Sequence, residues 1–185
     1  MSDCEPANPR TMARRAVDQL DAGTDALAER LRGNAAADRL FYAASTAGDW
    51  SRVWHVIALL LALRHGRSRK AALRLTVCLG AESLLVNQGV KRLFRRGRPA
   101  APTDHPHGLR TPQTSSFPSG HASSAVLAAT LLSSTHRRAR PLWWALAAVV
   151  AWSRVHVKVH HGSDVVAGAL LGRALGRVAR RLWPV

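Results

Sequence analysis

The stretch SRVHVKVHHGSDVVAG, residues 153–168, packs His156, His160 and His161 between Arg154 and Asp164. His160 and Asp164 are four apart, a spacing that at a helix start brings a carboxylate within reach of an imidazole nitrogen. A carboxylate on one ring nitrogen fixes the tautomer and leaves the other nitrogen as a nucleophile or a base. His156 and His161 lack a carboxylate at that spacing and read as packing or interface histidines. A metal site would be the other use of such a run. His156 and His160 share a helical face without a supporting carboxylate or cysteine set, and the nearby cations would repel a metal ion. The expectation is therefore no metal and no cofactor.

Two further clusters carry chemistry. In KRLFRRGRP, Lys91 and Arg98 are separated by six residues. In SFPSGHASS, Ser119 precedes a run of small and apolar residues and is a favoured helix N-cap. The amides near Ser119, Gly120 and His121 then sit at a helix N-terminus, where free N–H groups and the helix dipole attract an anion. Gly120 would permit close backbone approach, and His121 stands beside this cradle. Guanidinium groups match phosphate oxygens bidentately and lysine adds a point charge, so Lys91, Arg98 and Arg154 are the cations that fit a phosphate. Arg92, Arg95, Arg96 and Lys158 are assigned only to lipid headgroups, the ordinary role of basic residues at a membrane face.

Elements must bring these clusters together. Residues 12–32 read as an amphipathic helix with Val17, Leu20, Leu27 and Leu31 on one face, lying on the main body or on a lipid surface. GNAAAD breaks it, and a short helix over residues 39–47 follows. Five apolar segments come next, over residues 53–63, 71–90, 122–134, 142–157 and 165–175, separated in part by basic turns. Nothing suggests strands. The expected fold is all-α, with residues 1–52 as an amphipathic N-terminal segment and 53–185 as a bundle of about five apolar helices. If the second to fifth segments alternate in direction, all three clusters meet on one side.

The bundle has two possible surroundings. A spanning helix needs roughly 20 mostly apolar residues; several runs are shorter, and the mean hydropathy is only −0.08. Yet the runs lack a regular polar face, and Trp54, Trp143, Trp144, Trp152 and Trp183 stand near segment ends as an aromatic belt would. A membrane bundle is favoured over a soluble one. The loops at residues 64–70 and 137–140 and the C-terminal tail lie opposite the clusters, and their positive charge favours the cytoplasmic side for them.

Charge narrows the partners. The chain of 185 residues carries +16, unevenly spread. Residues 1–52 hold seven basic and eight acidic residues; residues 53–185 hold twenty basic residues against Glu82, Asp104 and Asp164. With acids so scarce, Asp164 marks a purpose. Polyanions are the implied partners: nucleic acid, an anionic membrane or a phosphorylated substrate. Nucleic acid would explain the charge but neither the long apolar runs nor the single carboxylate beside His160. Cys4 and Cys78 show no metal spacing and no disulfide framework, and MSDCEPANPR does not read as a cleavable signal.

Lys91 with Arg98-Pro99, then Pro118-Ser119-Gly120-His121, then Ser153-Arg154 followed by His160 and Asp164, resemble the three ordered motifs of the type 2 phosphatidic acid phosphatase superfamily. The superfamily includes lipid phosphate phosphatases and vanadium-dependent haloperoxidases. The resemblance covers about residues 91–171. Small bacterial members acting on polyprenyl phosphates are the most similar in size and in the run RTPQTSSFPSGHASSA. His161 and Gly162 stand where relatives often have Tyr-Pro.

The resemblance implies a multi-pass cell-membrane enzyme. It would hydrolyse a lipid phosphate monoester or pyrophosphate, without a metal, through a phosphohistidine. It implies that His160 attacks phosphorus while Asp164 holds its ring. His121 would protonate the leaving alkoxide and then activate water. Lys91, Arg98, Arg154, Ser119 and the Gly120 amide would neutralise the equatorial oxygens. A haloperoxidase would use the same pocket around vanadate, but its relatives are much larger and soluble. A scaffold with a dead site is disfavoured because no motif position is missing.

Overall fold

A computed structural model describes residues 8–100, 109 and 114–185. Cys4, Asp104, the start of the N-terminal decapeptide and residues 110–113 of the RTPQTSS run lie outside the described residues. Among the described residues eight α-helices follow in order: α1 Pro9–Glu29, α2 Ala35–Gly48, α3 Arg52–Ala62, α4 Arg67–Ser83, α5 Lys91–Leu93, α6 Gly120–Thr135, α7 Arg140–His156 and α8 Gly162–Leu182. A 3-10 turn at Asp49–Ser51 joins α2 to α3, and a π-helical stretch at Leu84–Val90 joins α4 to α5. Among the described residues there is no strand.

The caps follow the sequence. Asn8 and Asn34 accept hydrogen bonds from the first turns of α1 and α2, as short polar side chains do at this position. Ser119 caps α6. α8 starts at Gly162. His161 is its N-cap residue, because Asp164 reaches back to accept the His161 amide at 2.9 Å.

α6 is the centre of the bundle. Every residue from Ala122 to Leu132 is buried, and a helix apolar on all sides belongs where neighbours cover all of it. α8 packs closely against it, with α7 and α4 on other flanks. The contact with α8 is possible because Gly168 and Gly172 face α6: a Cβ on either would overlap the carbonyl oxygen of Ser119 or of Ser123. Trp54, Leu75, Leu79, Leu127, Leu131 and Val150 fill the core between α3, α4, α6 and α7.

One expectation needs correction, and one alternative narrows. Trp54 is not part of a surface belt; it is wholly buried in the core, where its ring contributes apolar area. Of the two positions open to the apolar stripe of α1, on the body or on a lipid surface, the structure leaves it off the body. α1 docks through Asp21, Thr24 and Ala28, and the turn after it through Arg32, while Val17, Leu20, Leu27 and Leu31 remain 40–50% exposed.

No helix among the described residues is long and apolar enough to cross a membrane. α6 and α7, with 16 and 17 residues, span about 24–26 Å at 1.5 Å per residue, against a hydrocarbon core of about 30 Å.

Candidate active site

The three clusters converge at one end of the bundle, as alternating helices require. The Ser119 amide donates to the Asp164 carbonyl at 3.0 Å, tying the start of α6 to the start of α8. After α7 ends, the chain doubles back so that the amides of Val159 and His160 both donate to the Arg154 carbonyl, at 3.1 and 3.0 Å. His160, Arg154, Ser119 and Asp164 are all buried there.

His160 Nδ1 lies 3.6 Å from Asp164 Oδ2, an ion-pair distance longer than a hydrogen bond. Burial pushes the His160 imidazole down to about 3, with Arg154 and Arg98 pushing the same way and Asp164 opposing them. The ring is therefore neutral at physiological pH, the state in which a nitrogen lone pair can react. Asp164 stays ionised: despite burial, the His160 ring, the His161 amide and Arg96 hold it below its ordinary value.

His121 stands at the head of α6, one residue before its apolar run. Its Nε2 lies 3.1 Å from Asp49 Oδ1 and 3.2 Å from the Ser45 carbonyl. Both neighbours are acceptors, so Nε2 carries the hydrogen and the free lone pair is on Nδ1. Burial and then Arg154 press the ring down to about 4, against the pull of Asp49.

The cations gather around these rings. Arg154 is fully buried and donates to Ser45 Oγ through Nη1, while its Nε and Nη2 have no partner among the described residues. Unpaired buried donors cost about 1–3 kcal/mol each, more when charged, so this guanidinium is built to receive an acceptor. Arg98 is braced by the carbonyls of Val159 and Thr114, each at 2.9 Å. Burial pushes Lys91 down to about 8, helped by the nearby charges of Arg98 and Arg154; like charges held together and away from water have this effect. A Cβ on Gly120 would come within 3.3 Å of Asn87 Oδ1 and 3.9 Å of Lys91 Nζ, so the glycine keeps the space beside the lysine open. Among the described residues no three His, Cys, Asp or Glu side chains are grouped to hold a metal.

Several residues at this end were misassigned or missed by sequence reasoning. Arg96 is not a lipid-facing bystander. Its Nη1 donates to Asp164 Oδ1 at 2.6 Å and Ser163 Oγ at 2.7 Å, and its Nη2 to Asp21 Oδ2 at 2.5 Å. Lys158 likewise faces Glu29 at 3.6 Å. Asp21, Ser45 and Asp49 come from the N-terminal segment, and Gly48 sits so near His121 that a Cβ would be 2.6 Å from its Cδ2. His156 stays outside the site: its Nε2 meets Asp38 at 2.8 Å and its ring packs on Phe41. Chain segments so far apart carry no mutual spacing signal.

A neutral histidine backed by a carboxylate, beside a buried guanidinium with unspent donors near a helix N-terminus, is chemically equipped for phosphoryl transfer. Residues 71–184 match the model of the PAP2 superfamily, and the chain belongs to that superfamily. It is a phosphoric ester hydrolase. The decaprenylphosphoryl-5-phosphoribose phosphatase of Mycobacterium tuberculosis is 36% identical over 131 residues, 68% of each chain. The fold is similar to that of the transmembrane PAP2-type phosphatidylglycerolphosphate phosphatase of Bacillus subtilis, with a TM-score of 0.68 and 23% identity over 90% of this chain and 86% of that one. It is also similar to Aquifex aeolicus LpxE, with a TM-score of 0.69 and 24% identity over 86% and 94%.

Proposed function

We infer that the protein dephosphorylates a lipid-borne phosphate monoester or pyrophosphate, with a polyprenyl phosphate as the favoured class, through a phosphohistidine on His160. The observation that carries this reading is Arg154: fully buried, with two donor nitrogens unpartnered beside a neutral His160. Unpaired buried donors carry a desolvation cost that an anion with several acceptor oxygens offsets. The mycobacterial relatives named for a decaprenyl-linked substrate support the lipid class.

The chemistry follows from the positions. Asp164 lies on the Nδ1 side of His160, so Nε2 is the attacking atom. A bond forms from Nε2 to phosphorus as the ester P–O bond breaks. His121, protonated once the phosphate charge arrives beside it, gives its proton to the leaving oxygen. In the second step His121 takes a proton from water, the water oxygen bonds to phosphorus and the N–P bond breaks. Lys91, Arg98, Arg154, the Ser119 hydroxyl and the Gly120 amide hold the phosphoryl oxygens throughout.

The setting we propose is the membrane, with 53–185 as the catalytic bundle and 1–52 as the segment that covers it. Leu59, Leu60 and Leu63 on and after α3, Leu84 after α4 and Leu170 on α8 are each 58–73% exposed. Apolar surface of that extent marks a lipid or protein contact. The outward stripe of α1 suits the lipid interface.

The test is phosphate release by the purified full-length chain from a panel of polyprenyl and glycerolipid phosphates, with and without EDTA. Turnover that survives EDTA and prefers the lipid esters is expected. Absence of turnover on every lipid phosphate would overturn the reading.

A further inference from the structure

A second cationic site lies at the opposite end of the bundle. The last turns of α6, the start of α7 and the second half of α8 enclose a cleft of about 290 Å³. Arg137, Arg140, Arg173 and Arg180 line it. The Arg173 guanidinium is held 5.4 Å from the centre of the Trp144 ring, a cation–π contact that orients it. None of the four makes a salt bridge among the described residues.

The wall of the cleft deepens this imbalance. Arg74 of α4 is 2% exposed and has no carboxylate partner. Its guanidinium donates to the Leu131 and Trp183 carbonyls, each at 3.1 Å, and to Ser134 Oγ and Thr135 Oγ1, each at 3.0 Å. Ser134 itself lines the cleft. Next to it, Ser133 Oγ is buried, lines the cleft and has no hydrogen-bond partner. The only side-chain carboxylates among the described residues of 53–185 are Glu82 and Asp164, and neither lines this cleft.

Four guanidinium groups around one small cleft repel one another, and a fifth is buried in its wall. The Trp144 ring fixes Arg173 among them, while Arg137, Arg140 and Arg180 stand exposed around the cleft. The group that relieves the repulsion is an anion with several oxygens, which arginine forks bind bidentately and serine hydroxyls can also reach. The cleft is set ten to fourteen residues along α6 from Gly120, about 15–21 Å from the candidate catalytic end. It cannot hold the phosphate being hydrolysed there.

We propose that this cleft is a second, non-catalytic anion site that binds a phosphate group, carried by an anionic phospholipid headgroup or free in solution. Its chemistry is independent of the catalytic reading.

The experiment is equilibrium binding of radiolabelled inorganic phosphate to the purified full-length chain in neutral detergent. The Arg140→Gln/Arg173→Gln double variant is expected to bind one phosphate fewer than wild type, or to bind that one at least tenfold more weakly. Arg154→Gln, at the other end, removes a different phosphate and leaves this one in place. Circular dichroism and a monodisperse gel-filtration peak confirm folding. If the double variant misfolds, the exposed Arg180→Gln is expected to weaken the same site at least threefold. Mixed micelles then separate the sources: displacement by phosphatidylglycerol but not phosphatidylcholine supports a lipid headgroup, and displacement by neither supports free phosphate. Phosphate binding unchanged in every cleft variant, or equal displacement by phosphatidylcholine, would overturn the proposal.

Discussion

Arg96 donates to Asp164 at 2.6 Å on the carboxylate oxygen that does not face His160. The same guanidinium reaches Asp21 of α1 at 2.5 Å, and Asp21 accepts the Ser163 amide at 2.7 Å through its other oxygen. The carboxylate behind the candidate nucleophile is thus aimed by an arginine, and that arginine is anchored by a helix near the N-terminus.

Arg96 is accordingly a positioning residue, although it never needs to meet substrate. Charge-assisted hydrogen bonds contribute roughly 1.5–3 kcal/mol, so Arg96→Ala is expected to lower kcat about tenfold or more on a soluble aryl phosphate. KM should move less than about threefold, Arg96→Lys should recover part of the loss, and Arg95→Ala should stay within about twofold. Steady-state kinetics at one salt concentration reads all three. Equal losses for Arg95→Ala and Arg96→Ala would remove the distinction.

Asp49 does the corresponding work for His121. Its carboxylate supports the imidazolium form, and the protonated ring matters most when the leaving group is a poor one. Asp49→Asn is expected to slow hydrolysis of an alkyl phosphate about tenfold or more, and that of a nitrophenyl ester much less. Phosphoenzyme formation measured with both substrates decides. The same loss on both would assign Asp49 to the fold alone.

How far the sequence could be read differs between the two halves of the site. The apolar runs ended where Ser119, Gly120 and the basic turns stopped them, because caps and burial are local and leave local signals. The order of Lys91, Arg98, His121, Arg154 and His160 was legible for the same reason. The link from Asp21 to Asp164 through Arg96 was not, since 143 positions separate the two carboxylates and nothing in either neighbourhood refers to the other. Arg96 is a more instructive case. The chain over 94–100 is not helical, and in an extended segment alternate residues share a side. Reading RRGRP as extended would have placed Arg96 with Arg98 and apart from Arg95; assigning Arg95 and Arg96 together to lipid headgroups concealed this.

Acidification should weaken the folded state. His160 and His121 are pushed down to about 3 and about 4 in the folded chain, from an ordinary 6.5. Between those values the unfolded chain binds more protons than the folded one, so stability falls as pH falls from about 6.5. Each group adds a slope of up to about 1.4 kcal/mol per pH unit. Thermal unfolding from pH 7 to pH 5 should give a falling Tm, with a shallower fall in His160→Gln. A Tm that holds steady across that range, or an unaltered slope in the variant, would contradict the burial of neutral imidazoles.

The central claim is that His160 carries the phosphoryl group. The direct measurement is rapid alkaline quench of the purified chain during turnover of a phosphorus-labelled ester, followed by peptide mapping of the label. A phosphohistidine is stable in alkali and lost in acid, and the account predicts it on His160, absent from His160→Ala and retained in His156→Ala and His161→Ala. Label on another residue, or undiminished turnover in a folded His160→Ala protein, would contradict the account.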